Sequence, residues 1–143
     1  MVLVTEGIAE LAPELVLEGD GGSAFEAVLN RAGVQVDLAH AFAVERAAEP
    51  CRWAEVNAAL MLHEFGAGEA EVQEYLERWA LVSPELAAHL VRFITENSRT
   101  YILTYSAGRE LCRAYVAGEP KRFRRLLTEQ VRVEDLLATQ TTD

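Results

Sequence analysis

The sequence predicts an all-α domain of seven to nine helices arranged around one tyrosine-rich helix. Three observations carry this reading. Apolar residues recur three and four apart along most of the chain, the spacing that lines one face of a helix. Helix start and stop signals punctuate it, among them Asp37, the Ser83-Pro84-Glu85 triplet, Gly33, Gly66 and Gly118. No alternating run meets a hairpin turn, so no strand of useful length is expected.

Residues 2–11 open the chain and can begin a helix. Thr5 is a candidate N-cap, and Pro13 should end the helix because proline lacks the amide the next turn needs. Glu6 and Glu10 are four apart and share a helix face. A short apolar turn at 15–17 precedes a glycine-rich break at Gly19–Gly22. Ser23 and Glu26 have capping-box spacing and should start a helix to Ala32, closed by Gly33 in the left-handed region.

Asp37 caps the next helix, which Pro50 stops or kinks. Cys51–Phe65 follows with Trp53, Val56, Leu60, Met61 and Phe65 as its apolar positions. Gly66 and Gly68 make a tight turn into Glu69–Trp79, whose Val72, Tyr75, Leu76 and Trp79 are expected inward. Ser83, Pro84 and Glu85 open a helix with Leu86, Leu90, Phe93 and Ile94 on its apolar face, ending at 96–98.

Arg99–Val116 is the organising helix. It is apolar around most of its circumference, and Tyr101, Tyr105, Gly108, Cys112 and Tyr115 fall on one stripe. A helix of this composition is normally central and buried. Gly118 and Pro120 end it. A short amphipathic helix over 120–129 follows, with Phe123, Leu126 and Leu127 inward, then a last turn over 133–138. The chain therefore reads as a single domain over 1–143. It comprises an N-terminal segment at 1–18, a helical core at 23–138, and a tail at 139–143 that should fray.

Composition narrows the function classes. Half of the 143 residues are hydrophobic and a quarter charged, the balance of a globular domain. No run of about 18 apolar residues exists to cross a membrane. The start has no basic region and carries Glu6, unlike a signal peptide. Cys51 and Cys112 lack metal-type spacing and read as reduced thiols, which points to the cytoplasm. Residues 1–80 hold 15 acids against 4 bases, and residues 81–143 hold 8 acids against 9 bases. An acidic half of net −11 argues against nucleic acid and anionic membranes as partners. The basic run Lys121–Arg125 is too short for a nucleic-acid footprint and reads as a solvated face or a contact for acidic surface.

No complete active site is legible. His63-Glu64 begins like the zinc helix HExxH, but position 67 is Ala67, so the second imidazole is missing. Asp37/His40, Glu64/His63 and Glu85/His89 are ordinary neighbours, and a metal site drawn from the three histidines is the least favoured reading. Asn57 is expected as a buried amide serving a neighbouring helix. Ser106 and Cys112 have no adjacent histidine, and no G-x-S-x-G or phosphate loop occurs.

Two pieces of the chain resemble parts of one enzyme class. Glu6-Gly7-Ile8-Ala9-Glu10 resembles the EGxA(E) segment of gluzincin-type zinc metallopeptidases. Tyr105-Ser106-Ala107-Gly108 is similar to the Y-x-x-G helix near the C-terminus of all-helical, metallopeptidase-like bacterial proteins. The resemblance implies Glu6 as a zinc ligand and Tyr105, with Tyr101, as donors to an oxyanion. It adds Arg109 and Arg113 as candidate contacts to a substrate carboxylate. The HExxH helix that precedes the glutamate in such enzymes has no counterpart here. The resemblance therefore implies the C-terminal half of such a protein, with zinc bound only when a missing segment completes the site, and no catalysis alone. A half-domain exposes apolar surface, so a homodimer or a complex with the missing N-terminal half is expected. The alternative is a free-standing helical interaction or regulatory module whose tyrosines only pack.

Overall fold

The computed structural model describes residues 2–17, 20–96, 99 and 101–138. Most of these residues are helical, and none lies in a strand. In order they form α1 (Val2–Leu17), α2 (Asp20–Arg31), α3 (Leu38–Ala48), a 3₁₀ turn at Glu49–Arg52, α4 (Trp53–His63) and α5 (Glu69–Trp79). Then come α6 (Pro84–Glu96), α7 (Leu103–Val116), α8 (Pro120–Thr128) and α9 (Val133–Ala138). No helix among the described residues is long and apolar enough to cross a membrane.

The first and last thirds of the chain meet. α1 lies along α7, and α8 and α9 close over the pair. Leu11, Cys112, Val116 and Leu136 are the most buried members of this core. A second core joins α4, α5 and α6 to the start of α7 through Val72, Leu76, Ala87 and Ile102. α7 touches both cores, because Tyr115 packs in the first and Tyr105 against the second.

The α2–α3 hairpin differs from both. No apolar side chain of either helix is buried. Its ends are nonetheless well made. Gly33, at φ 82°, lets its own amide reach the Asn30 carbonyl and the Val34 amide reach the Leu29 carbonyl, closing α2. Asp37 accepts from the His40 amide at 2.8 Å to open α3.

Several boundaries differ from the sequence reading. Pro13 does not end α1, which runs four residues further. The proline faces solvent, while buried Leu11 and the ion-paired Glu14 hold the turns on either side of it. Thr5 is consequently interior to α1 and not its cap. Ser23 is likewise interior, since α2 starts at Asp20 and takes in Gly21 and Gly22; Glu18 and Gly19 lie outside the described residues. Glu26 does not close a capping box on its own helix. Its carboxylate accepts from the Leu38 amide at 2.7 Å and so helps to cap α3.

The tyrosine helix starts at Leu103 rather than Arg99, leaving Tyr101 in the turn before it. It ends with Ala117 at φ 46°, one residue before the left-handed Gly118. Of the expected break at 96–98, Glu96 is still part of α6, while 97–98 and the tail at 139–143 fall outside the described residues. Trp79, Leu86 and Leu127, read on the apolar faces of their helices, are exposed, and so is Phe65, which lies in the turn after α4. The Arg78 guanidinium carbon lies 5.3 Å from the centre of the exposed Trp79 ring, a cation–π contact.

Candidate functional site

The site is built on a contact between two glycines. A Cβ added to Gly7 would overlap the Gly108 carbonyl, and one added to Gly108 would overlap the Leu3 carbonyl. The two helices therefore touch backbone to backbone, which only hydrogen side chains allow. Side chains one turn away on either helix are brought into reach of one another.

Beside this contact Glu6 also meets Tyr101, which lies in the turn before α7. The Tyr101 hydroxyl donates to Glu6 Oε1 at 2.9 Å, linking residues 95 apart. The Tyr101 ring stands edge-on to Tyr105 at 5.5 Å and to Phe93 at 6.0 Å. Tyr101 is held well above the ordinary tyrosine range, first by its side-chain hydrogen bond with Tyr105 and then by that to Glu6. It is therefore a hydrogen-bond donor and not a base at physiological pH.

Arg109 and Arg113 form the second group. Both bind Glu14 of α1 and Glu49 at the end of α3. Arg109 is 6% exposed. The Nε atoms of both arginines are buried without a hydrogen-bond partner among the described residues. Glu49 is held below the ordinary carboxylate range, chiefly by its hydrogen bond with Arg113. The arginines expected to meet a substrate carboxylate thus meet the protein's own carboxylates. They line a pocket of about 250 Å³ together with Phe42, Glu45 and Arg46.

Arg52 extends the belt. Its guanidinium bridges Glu10 of α1 at 2.6 Å and Glu45 of α3 at 2.8 Å. Beside it opens a cleft of about 330 Å³ whose wall includes Glu10, Glu55, His89, Phe93, Tyr105 and Ser106. Tyr105 thus borders this cleft in addition to packing against Tyr101. The glutamates in that wall are Glu10 and Glu55; Glu6 does not line it and is tied to Tyr101 instead.

The remaining candidates are dispersed. His63 bonds through its ring to the Ile94 carbonyl at 3.1 Å, while His89 borders the cleft. Asn57 is exposed rather than buried, because its turn of α4 points outward, and it donates to the Tyr75 hydroxyl at 3.1 Å. Cys112 is buried against the Val4 carbonyl, and desolvation pushes its thiol up to about 11, so it is not a nucleophile. Trp53, read as a core residue, is half-exposed and donates to Glu110 at 2.9 Å.

Among the described residues no three His, Cys, Asp or Glu side chains stand close enough to hold a metal ion. Glu6 is one carboxylate where zinc takes at least three protein ligands. These residues do not fit a zinc ion by themselves, and no chemical step is drawn through one. No family model, curated protein or solved structure matches the chain.

The sequence reading overlooked Glu14, Glu45, Glu49, Arg52 and Glu55. A signal for most of them was present. Glu10 and Glu14, Glu45 and Glu49, and Arg109 and Arg113 are like charges four apart on their helices. Such pairs repel unless an opposite charge faces them. Acidic pairs on two helices and a basic pair on a third predict the belt that is observed.

Proposed function

We propose that this chain is a metallopeptidase-like helical domain that contributes a glutamate and tyrosines to a zinc-peptidase-type site and does not catalyse alone. One observation carries the reading. The two segments on which the resemblance rests, Glu6-Gly7 and Tyr105–Gly108, pack directly on each other although about a hundred residues separate them. Their glycines make the helix contact, and the glutamate meets the tyrosine pair beside it. In this reading Glu6 is one zinc ligand, Tyr105 and Tyr101 are the neighbouring donors, and an HExxH-bearing polypeptide supplies the other ligands. Metal analysis tests it. The chain purified with an HExxH-bearing polypeptide encoded beside it should hold stoichiometric zinc, and Glu6→Gln should lose it. Zinc retained by the variant, or its absence from the complex, overturns the reading.

A second reading, an interaction or regulatory module that pairs as a homodimer in the cytoplasm, rests on the α2–α3 hairpin. Its exposed Phe25, Val28 and Val44 have no intramolecular cover. Sedimentation velocity at micromolar concentration should give a dimer. A monodisperse monomer rules the homodimer out.

A further inference from the structure

We propose that the cleft between α4, α6 and α7 binds the ammonium group of a small amine, with Glu55 as its carboxylate. Of the acidic side chains along the belt, Glu10 and Glu45 share Arg52, while Glu14 and Glu49 share Arg109 and Arg113. Glu55 has no hydrogen bond or ion pair among the described residues, although it lies one turn from Arg52. Both terminal nitrogens of Arg52 are already taken. The cleft wall holds Glu10 and Glu55 against Arg52, with His89 the other basic side chain in it, so with neutral imidazole it carries one negative charge in excess and its arginine is already engaged.

Shape and chemistry agree with that charge. The cleft, at about 330 Å³, is within the size range of small-molecule sites. The same lining includes Phe93 and Tyr105, aromatic side chains of the kind that attract a cation and pack an apolar body. Burial pushes the Glu55 carboxyl above its ordinary range. A half-buried carboxylate without a donor is unfavourable, and an ammonium entering the cleft would satisfy it. Glu55 also borders a shallow groove over Cys51 and Ala80, but no aromatic side chain lines that side. The inference uses neither zinc nor the family resemblance, so it stands or falls separately from the proposed function.

The test titrates the full chain with phenethylamine, an aromatic ring on an alkylammonium. Binding is followed by NMR on ¹³C-labelled Tyr and Phe rings. Its charge-reversed counterpart, 3-phenylpropanoate, is the control ligand. Saturable shifts at Tyr105 and Phe93 are expected, with a Kd of about 1 mM or lower. Glu55→Gln should weaken binding about tenfold or more, as expected for loss of a charge-assisted bond. Glu55→Asp keeps the charge and should retain more binding than Glu55→Gln. Glu64→Gln, outside the cleft, should bind like the parent. Amide spectra of each variant establish that it is folded. The proposal is overturned if phenethylamine gives no saturable shift. It is equally overturned if folded Glu55→Gln binds as tightly as the parent, or if 3-phenylpropanoate binds as tightly as phenethylamine.

Discussion

The α1–α7 pair and the α2–α3 hairpin are both made of two helices, yet opposite forces hold them. α1 and α7 meet through glycines, with Leu11, Cys112 and Val116 fully buried around the crossing. Dispersion and burial dominate there. α2 and α3 bury no apolar side chain, and their ties to the body include the pairs from Glu45 and Glu49 to Arg52, Arg109 and Arg113. The same arginine row thus serves two ends. α7 is fixed by packing on one face and offers its charged face as the seat for α3. The difference teaches that helix content alone does not tell which parts of this chain are rigid.

The largest effect should come from breaking the crossing. Gly108→Ala would drive a methyl into the Leu3 carbonyl, and backbone cannot swing aside as a long side chain can. A loss of about 3 kcal/mol or more is expected, which for a chain of this size lowers Tm by about 10 °C. Gly33→Ala is the counterpart in the hairpin. Nothing lies within 4 Å of its added methyl, so only the left-handed backbone at φ 82° resists it. About 1 kcal/mol is expected there. Thermal melts of the two variants separate steric overlap from backbone strain, and equal losses would contradict the contrast.

Next in size is the seat itself. Arg109→Met keeps much of the volume but removes a guanidinium that is 6% exposed and serves both Glu14 and Glu49. Removing one partner of a fully buried pair costs about 3–5 kcal/mol. Here Glu14 and Glu49 remain 30% and 38% exposed, so water screens them, and about 2 kcal/mol is expected. Hydrogen exchange locates the loss. Amides of α3 should exchange faster in the variant, while those at the α1–α7 crossing should keep their order of protection. Uniform acceleration over all helices would show that the hairpin is not a separately tethered unit.

This contrast also explains what could be read from the sequence. The all-α class was legible because periodicity and caps are local: Asp37, Gly33 and the Ser83-Pro84 start act within a few residues. The juxtaposition of Glu6 with the tyrosines was accessible only through a resemblance, since residues 95 apart share no local signal. Pro13 misled because tertiary contacts of Leu11 and Glu14 outweigh one lost amide bond. Tyr101 was placed inside a helix because the pattern continues through it, whereas the structure uses the preceding turn to aim its hydroxyl at Glu6. The ion belt was written in like-charge pairs that are unfavourable on a lone helix. Reading them required asking what stands opposite, which periodicity alone does not supply.

The smallest effect is the sharpest test of the electrostatic half of the comparison, because two identical substitutions should have opposite signs. Glu49 is held below its ordinary value of 4.5, mainly by its hydrogen bond with Arg113, whereas Glu55 is raised above it by burial. A carboxyl lowered by folding adds stability that is fully present above its unfolded pKa and lost as pH falls through its folded one. A raised carboxyl does the reverse: its ionised form is penalised at neutral pH, and the penalty is relieved as pH falls through the raised value. Glu49→Gln should therefore destabilise at pH 7, by about 1 kcal/mol or less given its exposure. That deficit should shrink at about pH 4, below the ordinary carboxyl value of 4.5, as pH falls towards the lowered value of the folded state. Glu55→Gln should stabilise at pH 7 and converge on the parent on acidification. Urea midpoints at the two pH values measure both. A Glu49→Gln deficit that is unchanged at low pH would mean that α3 is held by packing after all, and the distinction between the two helix pairs would collapse.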